Sequence, residues 1–292
     1  MAVVKEGFEL IKGMIDIHIH SGPDIFPRLM DDIQLAEDAR DCGMAAILIK
    51  NHATTTADRA QMAAKVAKFP VFGGVVLNNY VGGINPDAVK ASCKKGAKEV
   101  WFPTIQAKKY LANKSHVPMF DKELSDKEKP LYLLDENGKL IPAVHDVLDV
   151  IAEYKVIMAT GHISFEEALP LVKAAKAHKI EKILVTHPLA SFVHYTVDQM
   201  KEILDAGATF LEHVYNDTTR QVANPFAPSV LADGIKAIGA KYCVMSTDSG
   251  QVVNERPVIM MRHYVQDMLD CGISYEDIQT MTITHPKQLL DL

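Results

Sequence analysis

The sequence predicts an α/β fold, a (β/α)8 barrel of the TIM type, on three observations. Eight short apolar stretches recur along the chain, most of them followed by a helical stretch. These stretches are apolar on both faces, as strands of a parallel sheet covered by helices are. The alternation runs through nearly all of the 292 residues without a change of composition, and eight such units close a barrel. A doubly wound open sheet is the other architecture with this pattern, but no Gly-x-Gly-x-x-Gly turn follows the first strand as a dinucleotide-binding version requires.

Taken in order, the first strand is the run from Met14 that delivers His18 and His20 and then breaks at Gly22-Pro23. Residues i and i+2 of a strand share a face, so His18 and His20 are expected side by side, with Ile17 and Ile19 packed the other way. Residues 31–42, acidic at their start and closed by Gly43, read as a capped helix. Strand 45–50, helix 56–68 and strand 71–77 follow. Asn85-Pro86 then opens a helix that Gly96 closes, before strand 99–104. Residues 107–141 depart from the alternation: they are rich in Lys, Asp, Glu and Pro and carry the turn signal Asp135-Glu136-Asn137-Gly138. They read as one long excursion after strand four, a lid or an oligomer contact, with Tyr110, His116 and Phe120 as its contacts. Helix 142–154 and strand 156–160 resume the pattern. Ser164 with Glu167, and Thr196 with Gln199, are capping boxes for the helices on either side of strand 183–186. Strand 208–212, helix 228–238, strand 242–247 and helix 255–270 complete the ring, and residues 274–292 form a helical C-terminal appendage. The whole, 1–292, reads as a single domain.

Composition bounds the partners. Hydrophobic residues make up 48% of the chain and the formal net charge is -6, with Lys and Arg scattered among acids, which leaves no footprint for nucleic acid or an anionic membrane. A small-molecule substrate is expected. The four cysteines lie far apart without a Cys-x-x-Cys pair, which argues against a zinc knuckle or a disulfide framework and for a reducing, cytoplasmic compartment. The N-terminal stretch lacks the basic flank and apolar core of a secretion signal, and no apolar run reaches membrane-spanning length.

In such a barrel the C-terminal ends of the strands build the active site. Strand one ends in His18 and His20, strand two in Asn51-His52, strand three in Asn78-Asn79, strand five in His162, strand six in His187, strand seven in Glu212-His213 and strand eight in Asp248. Neutral imidazoles and a carboxylate give a divalent ion an N/O shell with room for a water. A water so held loses its proton near neutral pH, and a nearby carboxylate can accept it.

At these residues the chain resembles the amidohydrolase superfamily of metal-dependent barrel hydrolases, over nearly its whole length. The resemblance implies His18, His20, His162 and Asp248 as metal ligands, with His187 joining them or left to orient substrate or water, and Asp248 also as the base. His52, Asn78, Glu212, His213 and Arg220 are then the candidates for substrate binding. Two-metal members carry a bridging lysine or glutamate at the end of strand four; here that strand ends in Trp101 to Gln106, with Lys108 and Lys109 only beyond it. One divalent ion is therefore expected, zinc by default with manganese or iron as alternatives, in a hydrolase of small amides, cyclic amides, lactones or esters that assembles as a homo-oligomer. The same superfamily contains metal-dependent non-oxidative decarboxylases, the nearest alternative. A metal phosphoesterase fits less well, because Asp248-Ser249-Gly250 lacks the histidine of that type's Asp-x-His. A metal-binding barrel without catalysis is the non-enzyme alternative, and no Gly-x-Ser-x-Gly elbow supports a serine nucleophile.

Overall fold

The computed structural model describes residues 7–113, 118, 124 and 128–292. Eight parallel strands pair in sequence order, β1 (Ile15–His20), β2 (Ala46–Lys50), β3 (Val71–Val76), β4 (Glu99–Trp101), β5 (Ile157–Ala159), β6 (Ile183–Val185), β7 (Phe210–Val214) and β8 (Cys243–Ser246). The ring closes where β8 meets β1: the Asp248 amide donates to the His18 carbonyl at 2.8 Å, and the His20 amide to the Ser249 carbonyl at 2.8 Å. The chain is thus a (β/α)8 barrel. Helices α1 (Asp32–Asp41), α2 (Ala57–Ala67), α3 (Pro86–Lys94), a short α4 (Lys108–Leu111), α5 (Pro142–Tyr154), α6 (Phe165–Ala177), α7 (Val197–Asp205), α8 (Pro228–Ile238) and α9 (Pro257–Asp270) connect the strands on the outside.

The caps anticipated from sequence close as expected. The Ser164 amide donates to Glu167 Oε2 at 3.3 Å, and Thr196 and Gln199 exchange bonds of 2.9 and 3.2 Å. Three apolar clusters result. Two lie between strands and helices. The third is the barrel interior, where Ile15, Ile17, Ala46, Leu48, Val76, Trp101, Ile157, Ala159, Leu184, Phe210 and Val244 meet. Gly74 makes that interior possible, since a Cβ there would collide with the Glu99 carbonyl and the Trp101 ring.

Two expectations are corrected. Ile17 does not share a face with Ile19: the β1–β2 register shifts between Asp16 and Ile19, so Ile15 and Ile17 point into the barrel while Ile19 packs in the outer cluster. This bulge inserts one residue and turns the end of the strand, and the buried Asp16 carboxylate braces it by accepting from the His18 amide at 3.1 Å and Thr247 Oγ1 at 2.6 Å. The C-terminal segment is also no appendage. After α10 (Tyr275–Gln279) and a π-helical turn (Thr280–Thr284), α11 (His285–Leu290) drives Leu289 and Leu290 into the barrel interior, and His285 stacks on Phe210, which opens β7, at 4.2 Å. It is the plug at the N-terminal end of the barrel.

Strands four to six are shorter than the apolar runs suggest. Phe102 to Thr104, Thr160 and Thr186 extend past the last paired residues toward the mouth. The described ends of the excursion lie against the barrel: the Leu131 amide donates to the Gln106 carbonyl at 2.8 Å, and Asn79 Nδ2 to the Lys129 carbonyl at 2.8 Å. His116 and Phe120 fall outside the described residues. No helix among the described residues is long and apolar enough to cross a membrane.

Candidate metal centre

The inward faces of β1, β2 and β7 carry apolar side chains at the bottom of the barrel and polar ones at its C-terminal mouth. On β1 the bulge presents His18 and His20; on β2 the inward positions 46, 48 and 50 end in Lys50; β7 contributes Glu212 and the loop after β8 contributes Asp248. His18 Nε2 lies 3.2 Å and His20 Nε2 3.0 Å from Asp248 Oδ1, and ligand atoms of these three residues all lie within 4.8 Å of one another. Asp248 adopts a left-handed φ of 51°, as does His187 with φ 25°, a strained backbone that aims both side chains at the mouth.

Charges set the protonation. Burial opposes ionisation of Asp248, yet His18 and His20 beside it hold its carboxyl well below the usual range. Glu212, also ionised against the cost of burial by His18, faces His18 Nδ1 at 3.1 Å. A carboxylate can only accept, so Nδ1 carries a hydrogen toward Glu212 and Nε2 one toward Asp248. Lys50 Nζ sits 2.9 Å from that same Nε2. Burial lowers Lys50 and would lower His18, but Asp248 and Glu212 carry His18 up to about 9. Arg28, buried and paired with Asp24 at 2.6 Å, donates to His20 Nδ1 at 3.2 Å.

His162 and His187 stand beside this cluster, their rings 4.8 Å apart and His187 stacked 5.9 Å from His18. Burial keeps both neutral, with His187 at about 4 and His162 well below its ordinary value. Both nitrogens of His187 and Nδ1 of His162 are buried without a hydrogen-bond partner among the described residues. Each such atom costs about 1–3 kcal/mol unless something completes it. A small cavity of about 10 Å³ opens in front, lined by His52, His162, Phe192, Asn216, Asp217, Gln221, Val222 and Asp248. Asp217 is pushed up to about 8 by burial and by Asp248 across the cavity, giving one ionised and one protonated carboxyl in a single small chamber. Tyr110, from the start of the excursion, lies 5.3 Å from His162 and 5.1 Å from Phe192.

The remaining candidates sort by position. His52 lines the cavity, stacked on His20 at 4.8 Å and bonded through Nδ1 to Thr104 Oγ1 at 2.8 Å. Asn78 is consumed in bracing, donating to the His52 carbonyl at 2.9 Å and Thr104 Oγ1 at 2.8 Å. Glu212 serves His18 rather than the cavity. His213 is a correction: strand alternation turns it outward, where a Cβ on Gly234 of α8 would lie 3.8 Å from its ring. Arg220 is exposed beyond β7. Lys50 and Asp217 escaped the sequence reading, and so did Glu99, a buried carboxyl on β4 with both oxygens unpartnered among the described residues. The alternation that aims Leu48 inward also aims Lys50 inward and was the signal for it; the 3₁₀ turn that buries Asp217 had none.

The model of a family of unknown function, DUF6282, matches residues 13–211. The chain belongs to that family. No curated protein matches the sequence. Among solved structures, the DUF6282 chain is similar to an amidohydrolase from Pseudomonas aeruginosa at 10% identity and TM-score 0.57, covering 99% of this chain and 98% of that one. It is similar to PvdM, a probable dipeptidase of the same organism, at 13% identity and TM-score 0.60, covering 97% and 95%. It is also similar to a dihydroorotase at 12% identity and TM-score 0.56, covering 96% and 69%. At these identities the likeness is one of fold, and it extends over nearly all of the DUF6282 barrel.

Proposed function

We propose that this chain is a metal-dependent hydrolase of the amidohydrolase type, acting on a small-molecule amide, cyclic amide, lactone or ester. One observation carries the reading: His18 Nε2, His20 Nε2 and Asp248 Oδ1 converge within 4.8 Å at the C-terminal mouth of a (β/α)8 barrel, where barrel enzymes keep their active sites. The hydrolase names of the fold relatives support it. The donor set fits one divalent ion, zinc by default with manganese or iron as alternatives, and Lys50 Nζ lies 2.9 Å from one of its donors, His18 Nε2. A divalent ion there supplies a water of lowered pKa.

The chain's own residues do the rest. Glu212 fixes the tautomer and orientation of His18 through Nδ1. Asp248, held ionised, is the group at the cavity wall able to take a proton. Asp217, held protonated, can donate a hydrogen bond to a substrate oxygen facing it. Neutral His162 offers its free Nδ1 as a further ligand for the ion, neutral His187 offers nitrogens to join it or to orient substrate or water, and Phe192 and Val222 line the cavity.

The same reading takes residues 1–292 as one catalytic domain, 107–141 as a lid or a contact between copies, and the protein as a cytoplasmic homo-oligomer. The cysteines support a reducing compartment, being free and, for Cys42, Cys93 and Cys243, buried. The test is a screen of metal-loaded protein against amides, lactams, lactones and esters, with phosphate esters and carboxylic acids alongside. Metal-dependent hydrolysis of a carbonyl substrate is the expected result. Carbon dioxide release alone would replace the reading with a decarboxylase, and phosphate release alone with a phosphoesterase.

A further inference from the structure

Away from the mouth, on the outer helical layer, three side chains meet in an arrangement that the barrel-mouth chemistry does not use. His145 and Asp149 lie one turn apart on α5 and so share a face. His178 is the C-terminal cap of the neighbouring α6. Its Nδ1 lies 2.7 Å from Asp149 Oδ1, and its Nε2 lies 3.1 Å from His145 Nδ1.

The tautomer follows from the donors available. A carboxylate has no hydrogen to give, so the Nδ1 hydrogen of His178 donates to Asp149 and leaves the Nε2 lone pair facing His145. That is the carboxylate–histidine arrangement that orients an imidazole toward a metal. The separation also suits an ion: with metal–nitrogen bonds of about 2.0–2.1 Å, two nitrogens 3.1 Å apart subtend roughly 95–100° at the metal, between the octahedral and tetrahedral angles. His145 and Asp149 are exposed and His178 is partly so, which leaves the outer coordination positions to water. A cavity beside His178, floored by Ile151 and Val156, adds room for those waters.

We infer that His145 and His178 form a second metal site, two-coordinate from protein, that takes an imidazole-preferring divalent transition ion such as Zn2+ and clasps α5 to α6, with Asp149 as the orienting carboxylate. The site stands whether or not the barrel mouth hydrolyses anything. The test is calorimetric titration of the chelator-stripped full chain with Zn2+, beside His145→Ala, Asp149→Asn and the mouth variant His18→Ala, each checked for native circular dichroism. Wild type should bind one equivalent more than His145→Ala. That extra equivalent should survive in His18→Ala and weaken about 10–100-fold in Asp149→Asn. Co2+ added to wild type and His18→Ala should give ligand-field absorption that His145→Ala reduces. Equal stoichiometry and affinity in wild type and His145→Ala, or an extra equivalent that vanishes only in His18→Ala, would overturn the inference.

Discussion

Asp248 and Asp217 face one cavity with opposite protonation, and each supports a prediction at the scale of a single side chain. Asp248→Asn keeps the size of the side chain and one oxygen for coordination but removes the proton acceptor. Once a substrate is in hand, turnover should fall by about 10² to 10⁴ while metal content and fold are retained; wild-type turnover in the variant would remove Asp248 from the role of base. Asp217 is read through stability. Its carboxyl sits at about 8 in the folded chain against an ordinary 3.8, so between those values the folded state binds more protons than the unfolded one, and stability drops as pH rises. The slope is at most about 1.4 kcal/mol per pH unit. Asp217→Asn, which mimics the protonated form, should therefore gain on wild type between pH 5 and pH 8 in urea unfolding. A stability gap that does not change with pH would show that Asp217 is not held protonated.

At the scale of elements, the site depends on how β1 and the turn after β8 are laid together. Gly250 sits at φ 120°, and a Cβ there would fall on the His20 carbonyl. Gly250→Ala must push the β8 turn away from β1, which carries Asp248 away from both histidines. A loss of about 1–3 kcal/mol is expected from the overpacking alone, together with weaker metal binding, and thermal denaturation plus metal titration measures both. An alanine variant with unchanged melting temperature and unchanged affinity would contradict the closure described here. The terminal plug makes a second test of the same kind. Leu289 is fully inside the barrel floor, 1% exposed, so Leu289→Ala should cost about 2–5 kcal/mol in chemical unfolding, whereas a detached appendage would cost almost nothing.

The whole molecule brings together groups from β1, β2, β7 and β8 so that a single cation is the natural partner of Asp248. His18, raised to about 9, already holds an extra proton in that field, and a divalent ion bound at its Nε2 must displace it. Metal uptake at the mouth should therefore release about one proton per ion, read as a dependence of the binding enthalpy on buffer ionisation, and affinity should fall as pH is lowered. Elemental analysis of a His145→Ala chain, which isolates the mouth, should find about one ion per chain. Two tightly held ions in that variant would argue for a bridged pair, and none after growth in supplied metal would end the metal reading.

Periodicity and punctuation alone determined the order of strands and helices, the capping boxes at Ser164 and Thr196, and the presence of His18, His20, His162, His187 and Asp248 at strand ends. These are local properties: backbone geometry repeats every two or 3.6 residues, and the strand-end rule converts position into location. Three things were decided only in three dimensions. The bulge at Asp16 to Ile19 reversed the facing of Ile17, because register is set by the neighbouring strand β2 and not by the run itself. His213 went to the helix layer and Glu212 to the barrel, a choice of one residue in strand phase that alternation leaves open until packing fixes it. Lys50, Glu212 and Asp217 acquired their charges and partners from residues far away in the chain, since protonation answers to the field of a folded interior, and that field exists only once the barrel has closed.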